Sequence, residues 1–134
     1  MKSLKISFVL WLSSMVLPVF ADTVMYFGLI NQIPTDVTAQ SKVCILDDAN
    51  QLLATINNDL KNQPNISKEI IAKNYAAQFQ KISNSMVCQT QAAQLGITQL
   101  PAVVLNDHYV VYGQTSMHTA LLEIQAFKEA QHVG

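Results

Sequence analysis

Arginine is absent from all 134 residues. With it goes the side chain that most readily grips phosphates and base edges through a planar pair of donors. Two of the eight lysines, Lys2 and Lys5, lie at the extreme N-terminus, and the other six are scattered. Nucleic-acid binding is therefore disfavoured, because a backbone-reading protein needs clustered cations to displace phosphate counterions. The four glycines form no cluster that could cradle a phosphate, and no Gly-x-Ser-x-Gly elbow occurs. His108, His118 and His132 show none of the paired spacings that bring zinc ligands together. Asp47-Asp48 supplies too few oxygens for a divalent cation. No metal site, cofactor or catalytic residue is expected.

The chain is also poor in cysteine, with only Cys44 and Cys88. Forty-three residues separate them, so there is no Cys-x-x-Cys in which one sulfur resolves a mixed disulfide on the other. In an oxidising compartment a structural disulfide is the default expectation, and a reactive pair meeting in space is its rival. Closing such a loop would restrict the unfolded chain by about 4 kcal/mol in the chain-entropy picture.

The compartment is read from the N-terminus. Met1-Lys2-Ser3-Leu4-Lys5 is cationic, Ile6 to Phe20 is an apolar run without charge, and Val19-Phe20-Ala21 offers a cleavage site. This order predicts a signal peptide over residues 1–21 and one exported domain over residues 22–134. Cleavage removes Trp11, the only tryptophan, and leaves six lysines against nine acidic residues, a formal charge of minus 3. No later apolar run is long enough to span a bilayer, so no stable membrane insertion is expected after cleavage.

Periodicity sketches the domain. Thr23 to Phe27 and Lys42 to Leu46 read as strands separated by a loop over Leu29 to Gln40. Asp47 or Asp48 is positioned to cap a helix whose Leu52, Leu53, Ile56 and Leu60 share a face, ending before Pro64. Ser67 starts a long helix with Ile71, Tyr75, Phe79, Ile82 and Met86 as its apolar line, a kink at Ser83-Asn84-Ser85, and Gly96 as its C-cap. Ala102 to Leu105 and Tyr109 to Tyr112 form a hairpin across Asn106-Asp107-His108. Thr115 or Ser116 caps a last helix with Met117, Ala120, Leu121, Ile124 and Phe127 inward.

The frame from Ala92 through Leu95-Gly96-Ile97-Thr98-Gln99-Leu100-Pro101-Ala102-Val103-Val104 to Tyr109-Val110-Val111-Tyr112-Gly113 resembles the C-terminal half of the thioredoxin fold. The resemblance implies an α/β fold, a small mixed sheet flanked by helices, with a cis-proline loop at Leu100-Pro101 before the hairpin. It also implies that the Leu100, Pro101 and Ala102 segment offers backbone groups to an extended peptide. The place of the redox motif, after the first strand, holds Gly28-Leu29-Ile30-Asn31 without cysteine. More narrowly, the exported chain looks like the family of small secreted proteins encoded in integrating conjugative elements, which has no assigned biochemical activity. That resemblance implies a periplasmic or secreted accessory protein of a conjugative DNA-transfer or type IV secretion apparatus, partnered by other proteins of that apparatus. The alternative is a periplasmic thiol-disulfide oxidoreductase or chaperone using Cys44 and Cys88.

Overall fold

In Val24-Met25-Tyr26-Phe27, branched and aromatic side chains that favour extended backbone build β1 (Val24–Gly28), the strand on which the sheet is assembled. The computed structural model describes residues 21–133, so the expected signal peptide over residues 1–21 falls outside the described residues but for Ala21. A single 3-10 turn (Ile30–Gln32) follows β1, then β2 (Ser41–Ile45), α1 (Asp48–Lys61), α2 (Lys68–Asn74), α3 (Ala76–Gln94), β3 (Ala102–Leu105), β4 (Tyr109–Tyr112) and α4 (Met117–His132). The sheet order is β2-β1-β3-β4, with β2 parallel to β1 and the other pairs antiparallel. The chain is thus a mixed α/β protein with a four-stranded mixed sheet flanked by helices.

Because side chains alternate along a strand, β1 feeds two cores. Phe27 and Met25 join Cys44, Ala102 and Val104 against Cys88 and Ala92 of α3. Tyr26 and Val24 join Val103 and Val43 against Met117 and Ala120 of α4. A third cluster, Ala49, Ile56 and Ile82 with Leu52, Leu60 and Tyr75, packs α1 on α3. Leu53, expected in that face, is 42% exposed because the α1 stripe that meets α3 runs through Ala49, Leu52, Ile56 and Leu60.

Two expectations for the long helix are corrected. The break lies at Tyr75, between α2 and α3, while Ser83-Asn84-Ser85 sits inside unbroken helix. The buried line of α3 is Ile82, Ser85, Cys88 and Ala92, which leaves Phe79 and Met86 on the outer side. Cys44 and Cys88 are joined by a disulfide with Cα atoms 5.4 Å apart, and this tie fixes which side of α3 meets the sheet. Ser85, one turn earlier, donates to the Ile45 carbonyl at 2.9 Å and accepts from the Ala49 N–H at 3.3 Å. Gln89 donates to the Leu46 carbonyl at 2.8 Å, and the Lys42 ammonium to Gln91 Oε1 at 2.7 Å. A polar seam therefore runs beside the covalent one.

Turns and caps follow local chemistry. Gly96 takes φ +68°, and the bonds Ile97 N–H to Ala92 carbonyl (2.9 Å) and Gly96 N–H to Ala93 carbonyl (3.1 Å) close α3 in a Schellman motif. Asn106 and Asp107 both adopt positive φ, the requirement of a type I′ hairpin turn. Asn106 also receives the Thr23 N–H on Oδ1 at 2.8 Å, pinning the start of β1. Ser67 and Ser116 cap α2 and α4 as expected. Phe127, expected inside, is 54% exposed near the end of α4, where its ring meets Tyr109 edge-on at 6.3 Å between centroids.

Among the described residues, Ser85 is the buried polar side chain of the core, and its hydroxyl is partnered. Ser85→Ala is expected to lower the unfolding free energy by about 1–3 kcal/mol, because the hydroxyl's partners stay buried after its loss. Urea titration of the oxidised protein measures this.

Candidate binding surface at the end of the sheet

The C-terminal ends of the parallel strands β1 and β2 lie beside the start of β3 and the end of β4. In register, Phe27 pairs with Ala102, and Ala102 pairs with Tyr112. Carrying that register one residue further sets Gly28 opposite Pro101. The Pro101 carbonyl accepts the Gly113 N–H at 2.9 Å, and the Gly28 carbonyl accepts the Leu46 N–H at 3.0 Å. Four chain segments therefore share one end of the sheet. Gly28 fits there because a β-carbon on it would stand 2.8 Å from the Tyr26 ring.

The three residues expected to contact a peptide are placed unequally. Pro101 and Ala102 are buried, and Ala102 is inside the α3-side core. Leu100 is half-buried and packs on that core, and the Leu100–Pro101 peptide is cis. Side-chain contact at this loop can therefore come from Leu100, from Tyr112, which alternation along the last strand already offers as an outward-facing candidate, and from Ile30 and Ile33, which no sequence motif marks. Ile30 and Ile33 are 45% and 49% exposed on the segment leaving β1. Tyr112 is exposed at the end of β4, its hydroxyl accepting the Thr98 N–H at 3.4 Å.

This crossover from Leu29 to Gln40 carries no α-helix, yet it is held at three points. The Tyr26 hydroxyl donates to the Gln32 carbonyl. Asp47 Oδ1 accepts the Ile30 N–H at 2.9 Å, and Asp47 Oδ2 accepts from Gln51. Asp47 is the residue before α1 but makes no side-chain cap to that helix, a correction to its expected role. Finally, the Asp36 carboxylate accepts from the Met117 N–H (3.0 Å), the His118 N–H (2.9 Å) and the Ser116 hydroxyl (2.9 Å). An anion at a helix N-terminus meets free donors and the positive end of the helix dipole. The His118 and Met117 N–H bonds, then that of Ser116, pull the Asp36 pKa down to about 2. No local pattern marks Asp36 as a cap, since its helix begins 81 positions later.

Cys44 and Cys88 are brought together, but away from solvent. Cys44 is fully buried and Cys88 is 6% exposed. The histidines stay apart in roles of their own: His108 Nδ1 lies 2.6 Å from the Asn106 carbonyl in the hairpin turn, while the His118 backbone serves Asp36. Among the described residues, no group of three or more histidine, cysteine or acidic side chains converges to hold a metal ion. Among the same residues, no helix is long and apolar enough to cross a membrane.

A family model described as Protein of unknown function (DUF1525) matches residues 20–130, and the chain belongs to that family. No curated protein and no solved structure matches it.

The depressed pKa of Asp36 makes the tie to α4 acid-sensitive. A carboxyl whose folded pKa lies below its unfolded value, about 3.9, stabilises the fold fully above that value and loses its contribution as pH falls toward the folded pKa. Wild type should therefore lose stability as pH falls from about 4 to about 2. Asp36→Asn should be less stable at neutral pH and show a flatter profile across that window, read by thermal unfolding at stepped pH.

Proposed function

We propose that this member of a family of unknown function is an exported, thioredoxin-like accessory protein of a conjugative DNA-transfer or type IV secretion apparatus. It acts by binding other proteins of that apparatus, without thiol catalysis. The thioredoxin-like reading is supported by the β2-β1-β3-β4 order, parallel then antiparallel, with helices on both faces. It is supported as well by the Gly96-Ile97 helix exit and the Leu100-Pro101 entry to the hairpin. The assignment to a transfer element comes from the resemblance of Leu95 to Val104 and Tyr109 to Gly113 to secreted proteins of integrating conjugative elements. Periplasmic or secreted localisation follows from the reading of residues 1–21 as a signal peptide.

One observation carries the binding reading. After β1, where a thioredoxin-type enzyme keeps its attacking cysteine at a helix N-terminus, this chain has a 3-10 turn with an exposed Ile30 and no thiol. Both cysteines are spent on a buried bond. An incoming thiolate must reach a disulfide sulfur to exchange with it, and burial denies that approach in the folded protein. What the sheet end offers is contact surface, with Leu100, Ile30 and Ile33 around a backbone entry to β3.

Deletion of the gene from an element-bearing host should lower transfer frequency without changing growth rate, and unchanged transfer would overturn the proposal. The oxidoreductase or chaperone alternative has its own test. Alkylation with intact-mass analysis should detect no free thiol in the native protein, and insulin reduction should show no turnover. A readily reduced Cys44–Cys88 pair with turnover would favour the enzyme.

A further inference from the structure

The sheet ends at β4, and among the described residues no strand pairs with its outer edge. The Gly113 N–H donates to the Pro101 carbonyl, and Val111 and Val103 are register partners two residues further along. Hydrogen-bonded pairs recur at every second residue of an antiparallel ladder, so Tyr109 and Val111 turn their backbone groups to β3 while Val110 and Tyr112 turn theirs outward. Natural edges are commonly blunted by charge, proline or a bulge. The opposite edge, β2, carries Lys42. Tyr109-Val110-Val111-Tyr112 has neither charge nor proline, and its register with β3 runs without a bulge. Between β4 and α4 lies a cavity of about 450 Å³ lined by Tyr109, Val111, Ile124 and Phe127, with His108 and Glu123. The two ends of this strand and helix pair differ in charge. Glu123 accepts from Gln114, just past the end of β4, while the Lys128 ammonium stands 4.8 Å from the centre of the Tyr109 ring at its start.

We propose that β4 is the seam of a symmetric dimer, pairing antiparallel with β4 of a second copy so that the two sheets become one. The free edge selects an extended strand as its partner, and the charges beside it select this chain. With a two-fold axis at Val111, Val110 of each copy exchanges backbone bonds with Tyr112 of the other, which uses every outward group of the strand. The same register sets Tyr109 of one copy opposite Gly113 of the other, so the ring meets no side chain across the seam. It also reverses the two α4 helices relative to each other. Glu123, beside Gln114, then faces the Tyr109 and Lys128 end of the second copy, and this pairing of acid with lysine is made twice. A lone peptide strand brings neither charge, whereas a second copy brings both at matched positions. The packing is consistent with this arrangement, because α4 lies over β3 and β4. Strands about 4.8 Å apart leave the two helices roughly 10 Å apart across the seam, close to the distance at which helices pack. Phe127, 54% exposed, and the cavity beside it are covered in the dimer. One strand pair with one helix pair falls at the lower end of specific interfaces, about 1,200 Å² in total, so a weak, reversible dimer is expected. This inference does not rest on the proposed role in DNA transfer.

Exchange of the paired charges tests it. Sedimentation equilibrium of the oxidised residues 22–134, from micromolar to sub-millimolar concentration, should show reversible dimers. Glu123→Lys sets lysine against Lys128 of the other copy, and Lys128→Glu sets acid against Glu123. Each variant alone should dimerise about tenfold or more weakly than wild type. An equal mixture of the two should recover dimers, since each seam contact then joins a lysine to an acid. Tyr112→Pro removes an outward N–H and no bond to β3, so it should be monomeric while its circular dichroism stays that of wild type; if it fails to fold, the charge variants decide alone. A monomeric wild type, leaving the edge to a strand of another protein, overturns the proposal. So do dimers that tolerate both charge variants or a folded Tyr112→Pro, and a mixture that associates no better than its components.

Discussion

The Cys44–Cys88 bond is the constraint on which the rest of the structure leans. It joins β2, an edge strand reached by a crossover without an α-helix, to the middle of α3. Parallel strands usually gain their support from a helix packed in the connection between them, and here a 3-10 turn and extended chain stand in its place. The disulfide compensates by holding β2 from the side, with Ser85, Gln89 and Gln91 forming polar ties on either side of it. Its chain-entropy contribution, about 4 kcal/mol for a loop of this length, is comparable to a large fraction of the stability of a small domain.

The same bond occupies both cysteines, and the segment after β1 holds none. The rotation of α3 is set by Cys88 as well. With Ser85, Cys88 and Ala92 turned to the sheet, Phe79, Met86 and Val87 are left on the outside. Stability, lack of free thiol and the apolar outer face are thus consequences of one pairing.

Much of this was legible from residue order. The strands, the hairpin turn, the Ser67 and Ser116 caps and the Gly96 exit rest on local chemistry, and the structure places them within a residue or two of expectation. The phase of α3 was not legible, because hydrophobicity favours Phe79 and Met86 over Ser85, a residue whose burial depends on carbonyls some forty positions away. Asp36 and Asp47 were hidden for the same reason. Each carboxylate serves a distant backbone donor, and no spacing rule reports a bond across 81 or 17 positions. At the candidate surface, the Leu100-Pro101 motif marked the end of the sheet where β3 begins but gave no sign of Ile30 and Ile33, whose exposure is a product of the crossover's path.

In the proposed role the two cysteines serve the fold and function runs through contact. It is tested most directly by complementing a deletion strain with the Cys44→Ala/Cys88→Ala double variant, at a growth temperature where the variant accumulates folded to the wild-type level, and measuring transfer frequency. Transfer close to that given by the wild-type gene is expected. A folded, equally abundant variant that leaves transfer at the deletion level would contradict it and return the thiols to the mechanism.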